Sequence, residues 1–148
     1  MSASSASVRN QPHPAPHRER VNPWAVWFGL LGAPLAWGAQ LLINSALGAH
    51  GCYPHDVPLA VPIWGDMRQV MLGVEVAAIL VCVAALLSGW FTWRRARHEK
   101  QGSGHNVVEG GDGRTRFMAM AGLMTSLLFL AGAGFACINV ILVPACAG

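Results

Sequence analysis

The chain has 148 residues, 53% of them hydrophobic and 11% charged, with a formal net charge of +3; an ordinary soluble domain carries roughly 25% charged residues. The deficit is concentrated, because residues 24–47, 70–93 and 117–147 together hold a single Asp, Glu, Lys or Arg, which is Glu75. A chain divided this way does not build one soluble core, and no stretch between the apolar segments is long enough to fold alone. Most soluble enzyme architectures are thereby excluded.

Residues 1–22 are rich in Ser, Ala, Pro, His and Arg, a composition that predicts a disordered tail. The apolar run 24–47 predicts a first transmembrane helix, since about 20 apolar residues cross the roughly 30 Å hydrocarbon layer. It is longer than the apolar core of a signal peptide, about 7–15 residues, and Leu47-Gly48-Ala49 only loosely resembles a cleavage site. The run therefore reads as a retained anchor. Pro34 should bend it by removing one internal hydrogen bond, and Trp37 one turn on needs an acceptor for its indole N–H.

A loop over 48–68 leads to the second span, 70–93. The next loop, 94–116, opens on a basic run from Arg94 to Lys100, suited to anionic headgroups. It continues through Gly102-Ser103-Gly104-His105 and Glu109-Gly110-Gly111-Asp112-Gly113 as a flexible linker. Neither glycine run is followed by Gly-Lys-Ser/Thr or preceded by a strand, so no nucleotide site is expected. The third span covers 117–143. No ten-residue alternation suggests barrel strands, and the expected class is all-α, with one three-helix transmembrane domain over 23–148.

Direction follows from the basic residues. Arg9, Arg18 and Arg20 precede the first span, and Arg94, Arg95, Arg97, Lys100, Arg114 and Arg116 lie between the second and third. Only Arg68 lies between the first and second. This bias places the N-terminus and the 94–116 loop in the cytoplasm, and the 48–68 loop and C-terminus outside. Trp24, Trp27, Trp90 and Trp93 would anchor the inner boundary, Tyr53 and Trp64 the outer. The expectation is a multi-pass protein of a bacterial inner (cytoplasmic) membrane, in contact with lipid. The basic excess reads as topology and not as a nucleic-acid footprint.

Glu75 is the first candidate for chemistry. It lies seven positions past Arg68, about 10 Å into the span at 1.5 Å per residue. A carboxyl at that depth costs at least a few kcal/mol unless it is neutral, paired or reached by water. Gln40 falls at the same depth, Asn44 one turn shallower on the same face, and Asn139 about four residues inside the third span. These four residues form an expected intramembrane polar cluster. It would be either a functional pocket (a proton site, a quinone-headgroup contact or a docking point) or polar glue between helices.

Cys52 and Cys146 follow the first and third spans on the same predicted side, where an oxidising compartment permits a disulfide. The alternative is a redox or metal-binding thiol pair, which no Cys-x-x-Cys spacing supports. Cys137 is a weaker partner, and Cys82, mid-span, reads as a packing residue. His50, Cys52, His55, Met67 and Met71 group around the 48–68 loop, and sulfur with imidazole suits copper. That spacing matches no established motif, so copper stays an alternative and no cofactor is the leading expectation. None of the six histidines lies inside a span, which disfavours a bis-histidine membrane haem. Met118, Met120 and Met124 read as packing. Small residues pair at helical spacing in every span: Gly29 with Ala33, Gly32 with Ala36, Gly73 with Ala77, Ala85 with Gly89, Gly122 with Ser126, Gly132 with Ala136. Such pairs let helices approach closely.

The stretch Gly32-Ala33-Pro34-Leu35-Ala36-Trp37-Gly38-Ala39-Gln40, running on to Asn44 and Cys52, resembles the first helix of a group of small, uncharacterised three-helix bacterial inner-membrane proteins associated with cytochrome oxidase genes. Gly32, Pro34, Trp37 and Cys52 carry the pattern. The resemblance implies an accessory or assembly role and transfers no catalytic residue.

The expected function is accordingly a non-catalytic membrane protein, an accessory subunit or assembly factor packing against a larger membrane-protein complex such as a respiratory oxidase. Two alternatives stand beside it: an outer-face copper or redox handler, and a small transporter or proton-conducting oligomer built on Glu75. No nucleophile–base pair, zinc motif or cofactor fingerprint points to an enzyme.

Overall fold

The structure is a computed structural model and describes residues 22–55, 57–96, 112–144 and 146. Three helices account for most of them: α1 (Pro23–Cys52), α2 (Met67–Ala96) and α3 (Asp112–Leu142). Each is long and apolar enough to cross a membrane. Residues 1–21 of the expected tail 1–22 and most of the expected linker 94–116 lie outside the described residues.

All three helices are longer than the apolar segments that predict them. Hydrophobicity marks only the crossing, whereas i→i−4 hydrogen bonding continues into the polar residues beside it. α1 starts cleanly because the Asn22 side chain accepts from the Trp24 amide at 3.0 Å and Pro23 occupies the first turn, where its missing N–H costs nothing. It runs unbroken past Pro34 to Cys52. Its last carbonyls are then met by the loop folding back: the Leu59 amide donates to Cys52 at 2.9 Å and the Ile63 amide to Gly51 at 3.2 Å. Polar backbone at a helix end is thus satisfied without water. α3 begins at Asp112, inside the stretch expected to be flexible linker.

Contacts give the topology. Gly29 meets Gly89, Asn44 meets Glu75 and Gly51 meets Met67, so α1 and α2 are antiparallel. Gly29 also meets Gly122, Trp37 meets Gly132 and Cys52 is bonded to Cys146, so α1 and α3 are parallel. The result is an up-down-up bundle in which each helix touches both others.

The core is a narrow seam. On α2 the inward residues Met67, Met71, Glu75, Ala78, Cys82, Ala85, Gly89 and Thr92 recur every three or four positions, the repeat of nearly parallel, left-handed helix packing. Large apolar residues such as Leu35, Leu42, Leu80, Leu128 and Phe135 point outward. Met118, Met120 and Met124 are also exposed, on the outside of α3 rather than in its packing face. This inversion of a soluble protein is what a lipid solvent permits, because side chains gain nothing by leaving one apolar medium for another.

At the end farthest from the disulfide the helices approach through glycine. A Cβ on Gly29 would lie 3.2 Å from the Gly89 nitrogen, and one on Gly122 would lie 2.9 Å from the Gly29 carbonyl oxygen. At that range the α1 carbonyls accept from neighbouring side chains. Ser88 donates to Ala25 at 3.0 Å, Ser126 to Gly29 at 3.1 Å, and the Cys82 thiol to Ala33 at 3.8 Å. Four-residue steps along α1 put these three carbonyls on one row. Five of the six expected small-residue pairs contribute to this interior; Gly73 and Ala77 instead lie exposed on α2.

Candidate functional site: a buried polar cluster beneath a disulfide

Nearer the disulfide the small-residue seam gives way to larger buried polar side chains. There α1 contributes Gln40 and Asn44, four residues apart on one face, and α2 contributes Glu75. The Asn44 Nδ2 group donates to Glu75 Oε1 at 2.8 Å. Gln40 and Glu75 are 1% and 2% exposed, so neither carboxyl nor amide opens on the surroundings of the bundle.

Hydrogen-bond accounting is incomplete at this point. Gln40 Nε2 and Oε1, Asn44 Oδ1 and Glu75 Oε2 are all buried without a partner. Among the described residues they are the buried side-chain N and O atoms left so. Buried polar groups are otherwise almost always bonded, and each orphan costs about 1–3 kcal/mol.

Asn139 does not face this cluster. It is exposed and lines a recess with Arg68, Met71, Val140, Val143 and Pro144. The reason is rotational: the inward row of α3 passes through Gly122, Ser126, Ala133 and then Val140. A residue one position away is turned by about 100°, from 3.6 residues per turn. Depth along the third helix, which placed Asn139 with Glu75, leaves rotation open. The same recess holds Arg68, whose guanidinium donates to the Ile141 carbonyl and satisfies one of the last carbonyls of α3.

Above the cluster, Cys52 and Cys146 form a disulfide with Cα atoms 5.5 Å apart, joining residues 94 positions distant in sequence. Met67 is buried against it, and Met71 and Leu47 pack around the pair. Gly51 makes this possible, since a Cβ there would collide with the Met67 sulfur. Cys82 and Cys137 remain thiols.

The five residues weighed as copper ligands are dispersed in role. Cys52 is in the disulfide, Met67 is buried beside it, Met71 lines the recess, and His50 and His55 are exposed. Among the described residues no three His, Cys, Asp or Glu side chains form a metal-binding group. Two sulfur-containing features escaped sequence reasoning: the packing of Met67 on the disulfide, and the Cys82 thiol on the Ala33 carbonyl. The Met67–Met71 spacing signals an inward face, but not what it faces.

Comparison with known families, characterised proteins and solved structures finds no match to this chain.

Proposed function

We propose that the chain is a non-catalytic multi-pass membrane protein that packs against a larger membrane complex as an accessory subunit or assembly factor. The observation that carries the reading is the Gly73–Ala77 pair. Of the six small-residue pairs it is the one turned away from the bundle, and beyond its own turn of helix no atom lies within 4 Å of where a Gly73 Cβ would be. A helix from a partner could approach α2 there closely enough for backbone contact. The likeness of Gly32–Cys52 to proteins associated with cytochrome oxidase genes makes a respiratory oxidase the partner of choice. The basic residues favour a bacterial inner membrane with the disulfide on the outer side. The polar cluster, closed off at the glycine end, suits a structural or regulatory group better than a continuous path across the membrane.

Purification from native membranes in mild detergent tests this, read by mass spectrometry, visible absorption and metal content together. A stoichiometric haem-bearing partner is expected, and Gly73→Leu should release it while the Cys52–Cys146 disulfide still forms. A lone, colourless protein would overturn the proposal. The copper alternative rests on the thioethers of Met67 and Met71 alone, soft ligands that favour cuprous ion, because Cys52 and Cys146 are bonded to each other and present no thiolate. Copper retained by a solitary protein, and lost on Met67→Leu, would favour that reading instead.

A further inference from the structure

We propose that Gln40, Asn44 and Glu75 bind ordered water inside the bundle, and that this water enters from the recess at the disulfide end. The inference is independent of the partner reading above.

The orphaned atoms define the ligand. Gln40 presents a donor, Nε2, and an acceptor, Oε1; Asn44 Oδ1 and Glu75 Oε2 add two more oxygens. An alkali cation would satisfy the oxygens and leave the Gln40 amide nitrogen without an acceptor. Water serves both kinds of group at once, and buried waters typically make about three hydrogen bonds to otherwise unpaired atoms. The spacing is also right. Gln40 lies one turn from Asn44, about 6 Å along the axis, and two hydrogen bonds through one water span about 5–6 Å.

The route follows from what lies on either side. Towards the glycine end the seam closes through Ala33, Cys82, Ala85, Gly29, Gly89 and Gly122, and the hydroxyls of Ser88 and Ser126 are already committed to α1 carbonyls. Towards the disulfide end, a recess of about 140 Å³ reaches Met71, one turn from Glu75 on the same face of α2. The Met71 methyl carbon is 4.0 Å from where a Gly48 Cβ would be, so this flexible side chain reaches from α2 to α1 one turn from both Glu75 and Asn44. Met71 is the gate residue. Water reaches the carboxyl from one end, and the glycine layer prevents a through-path.

Infrared spectroscopy of the full chain in lipid nanodiscs tests the proposal, with the Glu75 carboxyl band assigned by its loss in Glu75→Gln. In the native chain the band should shift when the buffer is changed to D2O. Gln40→Leu should move the band in ordinary water, although Gln40 makes no direct bond to Glu75. Met71→Phe should leave the band in place and slow its response to D2O. Disulfide formation, read by gel mobility, checks that each variant folds. Should Gln40→Leu not fold, Gln40→Met, which keeps the side-chain length and removes both amide groups, takes its place. An unchanged band in a folded Gln40→Leu variant overturns the bound water, and native exchange kinetics in Met71→Phe overturn the route. A band that moves when sodium replaces potassium assigns the site to a cation and overturns the proposal as well.

Discussion

Glu75 accepts one hydrogen bond, from Asn44, and has a second oxygen to spare. Removing one member of such a pair is worse than removing both, since a lone buried amide keeps its desolvation cost. Glu75→Leu should therefore lower stability by about 1–3 kcal/mol, and Asn44→Leu similarly. The double variant should cost less than the sum of the two. A double-mutant cycle of unfolding in detergent reads the coupling directly, and strict additivity would mean that the 2.8 Å contact contributes nothing.

At the scale of the helices, the decisive contacts are backbone to backbone. Gly122 faces the Gly29 carbonyl so closely that an added methyl would lie 2.9 Å from its oxygen, whereas Gly38 has open space around it. Gly122→Ala should thus destabilise by about 1–3 kcal/mol through overpacking. Gly38→Ala should stabilise by roughly 0.5–1 kcal/mol, the gain of any helical Ala over Gly. Thermal unfolding of the two variants side by side distinguishes crowding from helix propensity, because propensity alone predicts the same sign for both. The opposite fates of these glycines were not readable in the sequence. Small residues at four-residue spacing occur on more faces than one bundle uses, and only the mutual rotation of the helices selects Gly29, Gly89 and Gly122 for the interior and leaves Gly73 outside.

For the whole molecule, the disulfide ties the end of α1 to the chain beyond α3 and so closes a loop that contains α2 and α3. Cys52→Ser should cost about 2–4 kcal/mol, measured as the loss of melting temperature against the oxidised native chain. Cys146→Ser should cost the same, and the double variant no more. A larger loss in Cys52→Ser than in Cys146→Ser would assign Cys52 a role beyond the bridge.

Three apolar segments with a single charge among them determine three helices long enough to span a membrane, because a lipid solvent tolerates only backbone that bonds to itself. The cysteines that meet were legible too, since two odd-numbered helices of an alternating bundle end on the same side. Rotation and register were decided by tertiary structure alone. They turn Asn139 out to the Arg68 recess, bring Gln40 and Asn44 inward to Glu75, and seat Met67 on the disulfide. The physical reason is that membrane helices are apolar on every face. Hydrophobic periodicity, which orients helices in soluble proteins, is here nearly silent. Close fit between glycine backbones and a few buried hydrogen bonds set the orientation instead, and both depend on residues from different helices at once.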